Sequence, residues 1–207
     1  MNVLFPIHET FQSTVQGEGA LAGTLVDFIR LYGCPVGCWF CDTGYSHTDN
    51  HGRTIPYTQY TIEQLLAELR SPRVVISGGE PMMNRHLPLL INAIETSDRQ
   101  VSIETSGSRW QSVNDTVWLT LSPKEHVNQK FPVIPKLWSR ANEIKLVISD
   151  GRELEFYQES LKKVTGTVYL QPEWADNQRT LPLTLQLLQK HPHYRLSVQL
   201  HKLIGVP

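Results

Sequence analysis

Short apolar runs rich in β-branched residues recur along the chain, and the stretches between them carry apolar residues at helical spacing. The runs at 24–31, 73–77, 101–104, 117–121, 143–148, 167–170 and 195–200 predict strands. Thr61-Ile62-Glu63-Gln64 has the form of a capping box and predicts a helix through Leu69. Apolar spacing predicts further helices over 87–94, 153–162 and 181–189. Segments 47–60 and 124–135 are polar and rich in Pro, Gly, Asn or Thr, and read as surface loops. No internal repeat or linker divides the chain, so a single domain over 1–207 is expected.

Strand–helix alternation points to a parallel sheet covered by helices. The residues after each strand refine that expectation. Leu31 leads to Gly33 and Cys34, Ile76 to Ser77-Gly78-Gly79-Glu80-Pro81, and Ile103 to Glu104-Thr105-Ser106-Gly107. Leu121 leads to Ser122-Pro123-Lys124, Leu170 to Gln171-Pro172, and Leu200 to His201-Lys202. In a β/α barrel all strand C-termini open on one face, where the active site is built. A complete barrel takes ~250 residues, so this chain suggests an incomplete α/β barrel of about six units.

Composition narrows the classes. Hydrophobic content of 40% and charged content of 19% describe a globular protein, and a net charge of −1 offers no basic field for nucleic acid. No apolar run reaches the ~20 residues that span a bilayer. Residues Met1 to Phe11 lack a basic leader region, so no secretory signal is expected. The cysteine usage fits a reducing cytoplasm.

Cys34, Cys38 and Cys41 are the only three cysteines, in the run Cys34-Pro35-Val36-Gly37-Cys38-Trp39-Phe40-Cys41. Three thiolates can hold three irons of a 4Fe-4S cluster and leave the fourth iron open, whereas electron-transfer clusters take four cysteines. A structural zinc completed by His47 is the alternative that the cassette alone leaves standing. Phe40 suits packing on an adenine, or a place in the core. Ser77-Gly78-Gly79-Glu80-Pro81 puts two glycines straight after a buried strand, where backbone can approach a ligand closely.

The cysteine cassette followed by Gly-Gly-Glu-Pro resembles the radical S-adenosylmethionine superfamily. Residues Phe11 to Gly19, Phe28 to Cys34, Cys41-Asp42-Thr43 and Ser197 to Pro207 narrow the resemblance to the 7-carboxy-7-deazaguanine synthase family of queuosine biosynthesis. The match covers nearly the whole chain. Ser106 departs from it, standing where the family is expected to carry asparagine.

The resemblance implies a fold of the radical S-adenosylmethionine type and a set of residue roles. Cys34, Cys38 and Cys41 would hold the 4Fe-4S cluster. Phe40, Gly79, Ser122, Pro123, Lys124 and Gln171 would line the S-adenosylmethionine site. Val15, Gln16, Gly17, Glu18, Arg30, Ser77, His201 and Pro207 would surround the substrate, 6-carboxy-5,6,7,8-tetrahydropterin, and Thr43 would bind Mg2+. A 5′-deoxyadenosyl radical would remove the substrate's C6 hydrogen, and ring contraction with loss of ammonia would give 7-carboxy-7-deazaguanine. A flavodoxin or ferredoxin would donate electrons, and a homodimer is implied. Arg30 suits bidentate grip on a carboxylate, and Glu18 suits the donors of a pyrimidine edge. The apolar Leu203, Ile204 and Val206 predict a docked C-terminal segment. The competing readings are an activase of a glycyl-radical enzyme and a non-catalytic zinc-stabilised binding module.

Overall fold

The computed structural model describes residues 3–41 and 55–207. Among these, nine strands form one mixed, open sheet: β1 (Phe5–Val15), β2 (Leu25–Leu31), β3 (Thr58–Tyr60), β4 (Arg73–Gly78), β5 (Gln100–Thr105), β6 (Trp118–Leu121), β7 (Glu143–Ile148), β8 (Thr167–Pro172) and β9 (Arg195–Leu196). Their order is β3-β1-β2-β4-β5-β6-β7-β8-β9. Pairing is parallel from β2 through β4 to β9, so the C-terminal ends of these strands open on one side. This is the expected incomplete barrel, extended at one edge by antiparallel β1 and β3.

Strand alternation explains the two faces. In β7, Ile144, Leu146 and Ile148 enter the main apolar core, which turns Glu143, Lys145 and Val147 to the other face. In β5, Val101 and Ile103 go to the core, and Ser102 and Glu104 oppose them. Helix α2 (Leu87–Thr96) closes on the apolar face through Leu87, Leu90, Ile91 and Ile94. Each fully buried aliphatic side chain is worth ~1.5–3 kcal/mol over exposure, so most hydrophobic stabilisation lies on this helical side. A smaller apolar cluster of Val26, Phe28 and Val75, with Phe11 against it, lies apart from that core.

The remaining helices are α1 (Ile62–Glu68), α3 (Leu137–Arg140), α4 (Glu153–Phe156), α5 (Gln158–Leu161), α6 (Asn177–Lys190) and α7 (Leu200–Ile204). The capping box at Thr61 forms, its hydroxyl accepting from Gln64 N and its own N–H reaching Gln64 Oε1 at 2.8 Å. The helix expected over 153–162 is interrupted at Tyr157 into α4 and α5. The strand expected over 195–200 ends at Leu196, and Leu200 begins α7 because its N–H turns to Gly17 O at 2.9 Å. Within the expected loop 47–60, residues Thr58–Tyr60 pair with β1.

β1 itself had no sequence prediction. Its register slips between Ile7 and Glu9 and again between Phe11 and Thr14, which breaks the two-residue period that marks a strand. At the second slip Ser13 has φ of 54°, and its N–H donates to Asp27 at 2.8 Å. Asp27 is fully buried and also accepts from Arg70 N, Ser71 N and Ser71 Oγ at 2.6–2.8 Å. One carboxylate thus ties β1, β2 and the α1–β4 turn.

Burial opposes ionisation of Asp27, but these donors prevail and hold its pKa below the usual value. Such a group adds stability above its unfolded pKa and loses it as pH falls through the folded one. Asp27→Ala is expected to cost about 3 kcal/mol, the scale of orphaned buried donors. Urea unfolding at neutral and acidic pH should show that cost shrinking in acid; an equal cost at both would place the stabilisation elsewhere.

Candidate active site

The cysteine cassette follows β2 and is clamped by the loop after β4. Gly79 N donates to Leu31 O at 2.8 Å and Glu80 N to Gly33 O at 3.0 Å. A Cβ on Gly79 would stand 1.8 Å from Gly33 O, so only glycine permits this approach. Gly78, with φ of 106°, makes the turn into it. Glu80 is buried and accepts from Met82 N, Thr105 Oγ1 and both Ser106 N and Oγ, which fixes the loop to the end of β5. On the far side, Asn128 Nδ2 holds Val36 O at 2.9 Å.

A cavity of about 590 Å³ opens at the strand C-termini. Cys34, Cys38, Phe40 and Cys41 border it, as do Gly79, Ser122, Lys124 and Gln171. So do Val15, Gln16, Gly17, Glu18, Arg30, Ser77, His201 and Pro207. Pro123, between Ser122 and Lys124, is buried and does not border the cavity. Thr43 and His47 lie outside the described residues.

The cavity wall away from the cysteines is charged. Lys145 donates to Glu18 and, at 3.0 Å, to Glu104 Oε2. Glu104 Oε1 accepts from Gln16 at 3.0 Å. Glu18 Oε1 accepts from Gln171 at 3.1 Å and Gln199 at 2.7 Å. Burial alone would raise the Glu18 pKa, yet Lys145, Gln199 and His201 hold it down to about 2. Burial likewise opposes the charge on Lys145, and the two carboxylates overcome it and raise its pKa.

Arg30 is oriented before any ligand arrives. Its Nη1 donates to Glu9 Oε1 at 2.6 Å, and its guanidinium lies 5.0 Å from the Phe11 ring and 5.9 Å from Phe28. The C-terminal segment docks through Gly17, whose Cβ would stand 2.0 Å from His201 Nδ1, and through Thr14 Oγ1 to Pro207 O at 3.2 Å. Leu203 and Ile204 do not carry that docking. They are 63% and 52% exposed, and Val206 borders the cavity instead.

Comparison with known proteins decides the family. The model of the Radical SAM superfamily matches residues 28–117. A 7-carboxy-7-deazaguanine synthase of Synechocystis sp. is 34% identical, the match spanning 100% of this chain and 95% of that protein. The synthase of Escherichia coli K12 is 32% identical over 98% of this chain and 99% of its own length. The crystal structure of QueE from Escherichia coli superimposes with a TM-score of 0.81 at 30% identity, covering 96% of this chain and 95% of that one. The chain belongs to the 7-carboxy-7-deazaguanine synthase family.

Membership of this radical S-adenosylmethionine family brings a 4Fe-4S cluster and S-adenosylmethionine as cofactors. The cysteine loop fits the cluster. Burial chiefly, with Glu80 and the other two thiols, pushes Cys34 up to about 11. Burial also raises Cys38, while Lys124 opposes it. Burial thus disfavours the thiolate forms of Cys34 and Cys38, and a bound cationic centre would restore them. A cubane takes one thiolate on each of three irons, and Cys34, Cys38 and Cys41 all border the one cavity.

Sequence reasoning passed over several residues of this site. Lys145 and Gln199 stand in ordinary apolar or polar contexts, and only the folded sheet brings them to Glu18. Glu104 and Glu80 lay inside noted motifs without an assigned role. The period-two alternation in β5 and β7 was the available signal, since a charged residue at an inward position of a buried strand needs a partner.

Gly79→Ala is expected to leave soluble protein that cannot keep the cassette in place. Anaerobic reconstitution should then load little iron, read by iron analysis and visible absorbance. Full cluster content in that variant would show that the loop tolerates displacement.

Proposed function

We propose that this chain converts 6-carboxy-5,6,7,8-tetrahydropterin to 7-carboxy-7-deazaguanine by ring contraction with loss of ammonia, using Mg2+. One observation carries the reading: the three-cysteine loop, Arg30 and the Glu18–Lys145–Glu104 wall share a single cavity. When bound, the cluster and S-adenosylmethionine would supply the electron and the radical chemistry that removes the substrate's C6 hydrogen.

The chain's own residues bind and orient. Arg30, held flat by Phe11 and Phe28, presents a planar fork to the substrate carboxylate. Glu18, ionised at neutral pH, accepts from the amino-pyrimidinone edge, with Val15, Gln16, Gly17, Ser77, His201 and Pro207 around the ring. Phe40, Gly79, Ser122 and Lys124 face the S-adenosylmethionine, and Pro123 restricts the backbone between the last two. Lys124 reaches Ser122 O at 2.8 Å and lies 5.8 Å from the Phe40 ring. Gln171 sets the boundary between the two ligands, its amide fixed between Glu18 and Ser197.

Thr43 would offer a weak oxygen ligand to Mg2+ with the substrate completing the shell, and the ion would supply charge neutralisation for the carboxylate. A flavodoxin- or ferredoxin-type donor would approach the cassette, where Trp39 is 67% exposed. A homodimer would cover sheet edges that end in the short strands β3 and β9. Full-length similarity to the synthases disfavours both the activase and the zinc module.

The direct test is anaerobic incubation of reconstituted protein with reductant, S-adenosylmethionine, Mg2+ and carboxytetrahydropterin, with products read by mass spectrometry. Formation of 7-carboxy-7-deazaguanine is expected; unchanged pterin with cleaved S-adenosylmethionine would refute the reading. Arg30→Lys keeps the charge and loses the fork. Its KM for the pterin should rise roughly tenfold, the scale of one charge-assisted hydrogen bond, while S-adenosylmethionine affinity holds. Equal loss of both would move Arg30 to the cofactor. For Thr43, magnesium affinity should increase sharply once substrate is bound, and Thr43→Ala should lose most magnesium stimulation. Affinity independent of substrate would contradict a shared shell.

A further inference from the structure

Lys145 stands on β7 with its side chain 5% exposed and borders the cavity. It reaches two carboxylates from different elements, Glu18 after β1 and Glu104 on β5. An ammonium has three protons. Two go to these carboxylates, and no acceptor among the described residues takes the third. The trio carries a net charge of −1 at a desolvated wall.

Each carboxylate is also constrained from behind. Gln171 and Gln199 donate to Glu18, while Gln16 donates to Glu104 and accepts the Glu18 N–H at 3.1 Å. The remaining lone pairs of both carboxylates are therefore aimed by fixed neighbours rather than by solvent. Other charged groups facing the trio are few. Lys124 approaches from the turn after β6 and His201 from α7. Glu143, two residues back on the same face of β7, is taken up by Thr120 Oγ1 and Ala20 N, each at 2.7 Å.

We propose that Lys145 is a positioning and specificity-determining residue: it keeps Glu18 and Glu104 together as a pair of ionised acceptors on one wall. A wall of two acceptors selects a ring edge made of N–H donors, as an amino-pyrimidinone presents. Without the ammonium, two carboxylates in one desolvated pocket cannot both stay ionised near neutral pH, and one keeps its proton. That carboxyl then offers an O–H to the ligand's own donors, and recognition reverses at that point.

The inference rests on the reading above for the identity of its ligand, so its test has a part that needs no ligand. Infrared difference spectra of the folded protein report a protonated buried carboxyl through its C=O stretch. Wild type should show none at neutral pH, Lys145→Met should show one, and Lys145→Met combined with Glu104→Gln should lose it again. With carboxytetrahydropterin, Lys145→Met should raise KM at least tenfold at neutral pH, the scale of one charge-assisted hydrogen bond, with a smaller change in kcat. That KM should fall as pH rises through the new carboxyl titration. Lys145→Arg, which keeps the positive charge, should retain the wild-type pH profile.

A Lys145→Met protein with native circular dichroism and no protonated carboxyl overturns the inference whatever the ligand. So does a protonated carboxyl accompanied by a wild-type, pH-independent KM. Failure of the wild type to convert the pterin would instead refute the proposed function, and the infrared comparison would still decide the role of Lys145.

Discussion

Charged groups on the inner face of an open sheet must neutralise one another, because the surrounding strands have removed most of their water. The Glu18–Lys145–Glu104 contact meets that constraint here. Burying an unpaired ion costs several kcal/mol, enough to cancel the contribution of a buried aliphatic side chain. The outer face of the sheet, packed under helices, provides the stabilisation that allows the inner face to stay polar. β7 embodies the division, with Ile144, Leu146 and Ile148 on one side and Glu143, Lys145 and Val147 on the other.

Backbone contacts place the reactive end of the cavity as firmly as charge places its wall. Gly79 lies against Gly33, and Glu80 binds the β5 end through Thr105 and Ser106. The cassette is therefore positioned by two neighbouring strands before any cluster is present. Arg30 receives similar treatment from Glu9, Phe11 and Phe28. Such fixed groups lower the cost of ordering side chains when a ligand binds. The cavity then has a thiol-rich end, a guanidinium and an acceptor wall, in keeping with one cofactor and one carboxylated heterocycle.

Much of this was legible in the sequence because local chemistry carried it. The cysteine spacing, the paired glycines after β4 and the polar residues at strand ends need no distant partner to be noticed. What escaped depended on pairing across the fold. Lys145 reads as one lysine in an apolar strand until Glu18, 127 positions away, is found beside it. β1 hid behind two bulges that disturb its alternation, although Phe5 and Ile7 are among the most buried side chains. Ser106 is clearer in the structure than in the sequence: with asparagine expected there, its hydroxyl still reaches Glu80 and Ser108. The apolar tail was read correctly as docked and wrongly in detail, since Val206 and not Leu203 or Ile204 turns inward.

The central claim is that one cavity brings the C6 position of a carboxylated pterin against the 5′ carbon of S-adenosylmethionine. Carboxytetrahydropterin deuterated at C6, turned over by the reconstituted protein, tests it most directly. Mass spectrometry should show deuterium at the 5′ carbon, in 5′-deoxyadenosine or in recovered S-adenosylmethionine, accumulating with turnover. Product formation with no deuterium in either S-adenosylmethionine or 5′-deoxyadenosine would contradict it.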